Sequence, residues 1–205
     1  MKKNLFIAVL IASIVSCGPS TKIVNSWRDP NTVVNTSELH KFVVAALLKN
    51  EATRREVEDK MAALNPGKAV PSYQVLGTSP LTQPDNVYMQ KLKDEGYDGV
   101  VVMRLSKVDK DQRYVPGNYP TYYTGGWRGY YGAAWGGYYD PGYYTTDKTF
   151  YVEANVYSMP KDKLVWSGIT STINPSSGQN LFDGVISAVQ QKMRDEGFLV
   201  TSAKK

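Results

Sequence analysis

Few residues of this chain have the types and spacing that enzyme chemistry uses. His40 is the one histidine among the 205 residues, and Cys17 is the one cysteine. A histidine-centred triad would have to use His40, and no serine has the Gly-x-Ser-x-Gly context of a nucleophile. Metal sites of the usual His/Cys kind are excluded by count, and no glycine-rich phosphate loop occurs. We therefore predict no metal, no cofactor and no enzyme activity.

Paired carboxylates are the remaining candidates for catalysis, because many glycosidases work with two carboxylates. Three such pairs occur, at Asp94/Glu95, Asp109/Asp111 and Asp195/Glu196. They fall at predicted helix ends or at the start of a loop, where solvated charge is the ordinary role. An unrecognised carboxylate-dependent hydrolase is kept as the enzymatic alternative.

The most unusual segment is YPTYYTGGWRGYYGAAWGGYYDPGYY, from Tyr119 to Tyr144, with nine tyrosines, two tryptophans and seven glycines. Exposed Tyr and Trp supply large contact area at low entropic cost, and they stack on sugar rings. The predicted binding residues are Trp127, Arg128, Tyr130, Tyr131, Trp135, Tyr138 and Tyr139. Four outcomes stay open for this segment: a protein interface, a carbohydrate or peptidoglycan site, weak self-association, or packing back over the domain.

The N-terminus has the form of an export signal. Lys2 and Lys3 precede an apolar run from Leu5 to Val15 that is too short to span a bilayer. The sequence IVSC that ends at Cys17 resembles the bacterial lipobox. That resemblance implies cleavage after Ser16 and lipidation of Cys17, with palmitate among the acyl groups. Gly18 in place of Asp favours sorting to the outer membrane, so we predict a lipid-anchored protein on its periplasmic face.

The charge distribution gives no sign of nucleic-acid binding. The formal net charge is +5, and outside the signal no dense Lys/Arg run occurs beyond Lys204-Lys205 at the end of the chain. Nucleic-acid binding requires a basic stripe or patch. The expected partners are therefore the membrane, through the N-terminal lipid, and an envelope protein or cell-wall glycan.

Hydrophobic patterning predicts an α/β (α+β) domain, with a mixed sheet and about three helices. Strands are predicted at 41–48, 69–76, 99–105, 149–157, 163–173 and 198–200, and helices at 51–64, 85–96 and 181–196. The predicted order is β-α-β-α-β, a long aromatic insertion at 109–147, then β-β-α-β. Pro71 indicates that the start of its strand lies at a sheet edge or outside the ladder. Residues 1–16 are predicted as signal peptide, 17–37 as a tether with a short strand at Ile23–Trp27, and 38–201 as one domain.

Four short motifs resemble an uncharacterised group of small bacterial envelope lipoproteins. They are SWRDP at 26–30, RRxxE at 54–58, YDG at 97–99 and LVWS at 164–167. The group has no assigned activity, so no catalytic residue carries over. The element order is also similar to that of penicillin-binding-protein activators and curli-secretion lipoproteins, which is a likeness of fold alone. Together these resemblances imply a non-catalytic binding or assembly module of the cell envelope.

Overall fold

A computed structural model describes residues 21–77, 85–116 and 142–200. The strands within these ranges are Thr21–Arg28 (β1), Val34–Asn35 (β2), Phe42–Leu47 (β3), Ala69–Pro71 (β4), Gly99–Val115 (β5), Tyr143–Ser158 (β6), Lys163–Ile173 (β7) and Leu199–Val200 (β8). The helices are Glu51–Ala63 (α1), Ser72–Val75 (α2), Asp85–Asp94 (α3) and Gly178–Asp195 (α4). None of these helices is long and apolar enough to cross a membrane.

The described strands form a mixed sheet in the order β1-β7-β6-β5-β3-β4, with β2 and β8 as a separate parallel pair. Strands β3, β4 and β5 run parallel, while β1, β7 and β6 add antiparallel neighbours. This architecture confirms the predicted α+β class with a mixed sheet. The strand that contains Pro71 lies at the sheet edge, where proline is tolerated because its nitrogen has no hydrogen to donate to a ladder.

The main core lies between one sheet face and helices α1 and α4. Helix α4 buries six apolar residues at helical spacing, and the sequence pattern predicts this stripe in full: Leu181, Phe182, Val185, Ile186, Val189 and Met193. Val152 and Ala154 of β6 face this core and are fully buried, in line with the alternation of that strand. Val57 and Met61 of α1 join it, whereas Leu64, which helical spacing would place on the same face, is half exposed.

A smaller core covers the opposite face of β3 and β5. Val43 and Val100 point away from the main core because successive strand residues alternate between faces. Leu92 of α3, together with Tyr97 and Met159, closes over them. The described helices therefore cover both faces of this half of the sheet.

Helix ends follow the local chemistry of the sequence. Asn50 caps α1 by accepting a hydrogen bond from the backbone of Thr53, and Ser177 caps α4 through Asn180. Gly96 and Gly197 both have positive φ, and the aromatic residue after each donates its N–H back into the helix. The two similar segments QKLKDEGY and QKMRDEGF thus share one glycine-capped helix end.

The folded domain begins earlier than predicted. Residues 21–28, assigned to the tether, form β1 along the open edge of β7, from Thr21 opposite Thr172 to Arg28 opposite Trp166. Residues 34–35 form β2 against β8. The short strand predicted at Ile23–Trp27 is confirmed within β1. An antiparallel ladder with a strand far away in sequence, interrupted by one register shift between Ile23 and Asn25, sets this boundary, and local composition does not show it.

Two other predicted boundaries are wrong. The strand predicted at 69–76 ends at Pro71, and Ser72–Val75 form α2, because the buried carboxylate of Glu58 binds Ser72 and the backbone of Tyr73. The insertion predicted at 109–147 is strand at both ends. β5 continues to Val115 and β6 starts at Tyr143, because the backbone ladder persists although few side chains there are buried.

Candidate functional site

The residues predicted to bind a partner lie outside the described part of the chain. They are Trp127, Arg128, Tyr130, Tyr131, Trp135, Tyr138 and Tyr139, and the same holds for Ser16 and Cys17. The structure does describe the two strands that lead into and out of the aromatic segment. We call these strands, Asp109–Val115 and Tyr143–Thr149, the arm.

The arm is a two-stranded extension of the sheet. Asp109 lies opposite Thr149 and Val115 lies opposite Tyr143, with an unbroken antiparallel register between these pairs. β7 leaves the ladder at Ile173, which lies opposite Thr149, so the arm extends past the end of β7. A register shift between Leu105 and Lys107 lies in β5 shortly before the arm begins at Asp109.

Asn174 holds the base of the arm. Its backbone N–H donates to the Lys148 carbonyl at 2.9 Å, and its side-chain oxygen accepts from the Lys148 N–H at 2.8 Å. Its side-chain amide also donates to Asp147 at 2.8 Å. Asn174 has φ 45, a left-handed conformation that asparagine tolerates better than most residues. The end of β7 therefore fixes the direction in which the arm leaves the domain.

The described end of the arm carries three exposed tyrosines. Tyr114, Tyr143 and Tyr144 expose 45%, 64% and 68% of their surface. Tyr114 and Tyr144 are opposite partners, and their ring centroids lie 5.2 Å apart. Adjacent strand residues point to opposite faces, so Tyr143 and Tyr144 place an aromatic ring on each face of the arm. These rings form an exposed aromatic surface at the end of the arm from which the chain runs into the predicted binding residues.

The arm has balanced charge. It contains three basic residues, Lys110, Arg113 and Lys148, and three acidic residues, Asp109, Asp111 and Asp147, so its net charge is zero. Arg113 and Asp147 form an ion pair at 2.9 Å. Asp109 pairs with Lys107 at 2.8 Å and raises the pKa of that lysine, mainly through their hydrogen bond. The tyrosines, rather than charge, are the distinctive chemistry of this surface.

An apolar cavity of about 430 Å³ lies at the opposite end of the sheet. Its apolar walls include Phe42, Val44 and Met103 of the sheet, Ile186 and Met193 of α4, and Met61 of α1, and charged side chains such as Asp98, Lys161 and Arg194 also line it. Its volume lies within the range typical of small-molecule sites, and these walls suit an apolar ligand. The sequence gives no signal of this cavity, because its walls come from elements distant in the chain.

Glu58 is a buried carboxylate outside the three carboxylate pairs. Its side chain is 0% exposed and accepts hydrogen bonds from the backbone of Ala46 and Tyr73, from the Ser72 hydroxyl and from Arg54. All four donors bind within 3.2 Å. With these four hydrogen bonds, the carboxylate of Glu58 joins α1, β3 and α2. The RRxxE motif contains both Glu58 and Arg54, which form an ion pair.

His40 and five of the six carboxylates in the three pairs have partners in the fold. His40 is exposed, and its Nδ1 lies 3.6 Å from Asp98. Within the described ranges, Asp94 accepts from Gln90, Glu95 lies near Lys91, Asp109 pairs with Lys107, and Asp195 accepts from Gln191. Glu196 binds Ser26 and Trp166. Each of these carboxylates therefore has a contact of its own within the fold.

Two carboxylates have clearly lowered pKa values. Hydrogen bonds from Lys163 and Thr32 lower the pKa of Asp29 from 3.8 to about 2. Burial raises the pKa of Glu196, but hydrogen bonds from Ser26, Trp166 and Lys192 outweigh it, so that this pKa lies below its usual value. Both groups tie β1 or the residues after it to distant elements, and both are therefore stabilising when ionised.

Comparison with known proteins adds a likeness of fold. The chain matches no family model and no curated protein. It is similar to the PelC dodecamer structure from Paraburkholderia phytofirmans, with a TM-score of 0.42 and 10% identity over 88% of this chain and 99% of that one. It is also similar to lipoprotein GNA1162 from Neisseria meningitidis, with a TM-score of 0.37 and 11% identity over 76% of this chain and 98% of that one. At these values the likeness assigns no function or assembly to this chain.

Proposed function

We propose that this protein is a lipid-anchored, non-catalytic binding module of the bacterial cell envelope. Cys17 carries the lipid after cleavage behind Ser16, and the arm with its aromatic segment forms the binding surface. The anchor rests on the export signal and on the lipobox-like IVSC sequence. It places the domain in the periplasm, at the outer membrane.

The observation that supports the binding role is the construction of the arm. An isolated two-stranded ribbon is marginally stable in water, yet here one extends past the sheet with a tyrosine on each face. Asn174 and the β5–β6 ladder, which shifts register once between Leu105 and Lys107, hold it to the core. Aromatic residues on a firmly attached support are typical of binding surfaces, because little side-chain entropy is lost on contact.

The anchor is tested on the N-terminal peptide of the mature protein. Mass spectrometry of protein purified from membranes should show an acylated Cys17 as the first residue. Cys17→Ala should abolish incorporation of a labelled fatty acid. An N-terminal peptide that is unmodified at Cys17 would contradict the anchor.

The binding role is tested by replacing residues 116–142 with an Asn-Gly turn. Val115 and Tyr143 are directly opposite, so a two-residue hairpin turn can join them and leave the ladder intact. Cross-linking in cells should capture envelope partners with the intact protein and lose them with the turn variant. A second variant keeps the length of the segment but changes its Tyr and Trp residues to Ser, which separates the aromatic rings from the backbone. Identical partner profiles for all three proteins would contradict the role of the segment.

The glycan alternative has its own assay. Stacking of sugar rings on Trp127 and Trp135, with Arg128 as a polar contact, predicts that the protein sediments with purified peptidoglycan sacculi. Retention by wild type and loss by the turn variant would assign the partner as glycan. Absence of the wild-type protein from the pellet would remove this alternative.

A further inference from the structure

Residues 17–20, which we call the N-terminal linker, and the arm leave the domain at the same end of the sheet. β1 begins at Thr21, which lies opposite Thr172 near the end of β7, and their hydroxyl oxygens are 2.8 Å apart. The arm begins at Thr149, which lies opposite the next residue of β7, Ile173. Because only β7 separates β1 from β6, the two exits are about 10 Å apart across the sheet.

The linker is shorter than the arm. Cys17 precedes Thr21 by four residues, so even a fully extended chain spans at most about 14 Å between them. The arm runs from Thr149 to Tyr143, which is about 20 Å at the rise of a β-strand. It points away from the core on the side from which the linker comes.

We infer that the described end of the arm, which we call its tip, contacts the lipid surface in which Cys17 is anchored. This inference rests on the proposed lipid attachment at Cys17. With the lipid in the bilayer, the short linker holds the end of the sheet near the membrane, and the longer arm reaches the headgroup region or lies along it. Tyr114, Tyr143 and Tyr144 are the contacting residues.

The chemistry of the tip suits a bilayer interface. A tyrosine has an apolar ring and a polar hydroxyl, and Tyr and Trp are enriched where hydrocarbon meets headgroups. The rings of Tyr143 and Tyr144 lie on opposite faces of the arm, so one of them faces the lipid when either face of the arm is turned towards the membrane. The zero net charge of the arm means that neither repulsion nor attraction by anionic lipid dominates. The contact is therefore expected to persist at high salt.

The test uses purified lipidated protein in liposomes with a spin label on the lipid headgroups. The mature protein has no cysteine besides Cys17, and lipidation blocks that thiol, so one engineered cysteine can carry a fluorophore. Thr146→Cys places the probe on the arm, and Val33→Cys places it at the opposite end of the domain, where Val33 is exposed. We expect loss of fluorescence at position 146, no loss at position 33, and the same result in high salt.

A tyrosine variant examines the contact itself. Changing Tyr114, Tyr143 and Tyr144 to Ser in the Thr146→Cys protein should reduce the quenching. Tyr157→Ser is the matched control, because Tyr157 is an exposed tyrosine at the other end of the same strand. Circular dichroism should show that both variants keep the fold.

The outcomes separate the inference from the proposed function. An unmodified Cys17 removes the attachment and this inference with it. Lipidated protein in the bilayer with equal fluorescence at positions 146 and 33 overturns the lipid contact alone. Cross-linking of the arm to a protein or glycan, without quenching by lipid, would assign the arm to that partner and also overturn the contact.

Discussion

The indole nitrogen of Trp166 donates a 2.8 Å hydrogen bond to Oε2 of Glu196, which ties β7 to the residue that ends α4. Ser26 of β1 donates to Oε1 of the same carboxylate at 2.6 Å. One side chain thus joins three elements at the edge of the sheet. This contact explains why β1, which local patterning assigns to a tether, belongs to the folded domain.

Replacing Glu196 should destabilise the protein. Glu196→Ala leaves the buried indole N–H of Trp166 without an acceptor, and we expect the free energy of unfolding to fall by about 1–3 kcal/mol. Urea denaturation followed by circular dichroism measures it. Asp195→Ala, one residue earlier and exposed, is the control and should stay within about 0.5 kcal/mol of wild type. Equal losses in both variants would contradict the role of Glu196.

Acid should weaken the protein through Asp29. Its pKa is about 2 in the folded state and 3.8 ordinarily, so the folded state favours the ionised form. The resulting stability is present above pH 3.8 and is lost as the pH falls towards 2. Asp29→Asn should lower stability at neutral pH and flatten this acid dependence in denaturation curves taken across the range. Asp162→Asn, which alters an exposed ion pair with Lys93, should keep the wild-type profile.

Glu58 should be among the most sensitive positions. Glu58→Ala removes the buried carboxylate that Arg54 binds and the acceptor of two backbone N–H groups, so we expect a loss of about 3–5 kcal/mol. Chemical denaturation gives the value. Glu56→Ala changes an exposed carboxylate on the same helix and should cost no more than about 0.5 kcal/mol. A loss at Glu58 as small as that at Glu56 would show that the buried cluster contributes little.

The indole of Trp166 lies against Gly168. A Cβ at Gly168 would collide with the six-membered ring of Trp166, and Gly168→Ala should cost about 1–3 kcal/mol by displacing the indole. Gly178, at the start of α4, has open space where an added Cβ would lie, so Gly178→Ala should be neutral or stabilising. Thermal denaturation of the two variants tests the contrast. The same sign of change for both would contradict it.

Local patterns in the sequence determined the elements that are stabilised by near neighbours. The apolar stripe of α4, the Asn50 cap and the paired glycine ends at Gly96 and Gly197 were all predictable. Helical spacing and capping depend on residues three or four positions apart, which a single sequence shows directly. The lipidation signal at Cys17 is equally local, and it stays a prediction.

The tertiary structure decided everything that depends on register between distant strands. Only the pairing of Thr21 with Thr172 and of Thr149 with Ile173 brings the N-terminal linker and the arm to one end of the sheet. The burial of Glu58 and the apolar cavity likewise need several elements packed together. The backbone groups at a strand edge can form hydrogen bonds with any other segment, so side-chain composition does not specify which segment pairs there. The hydrogen bonds and packing of the whole sheet specify that pairing.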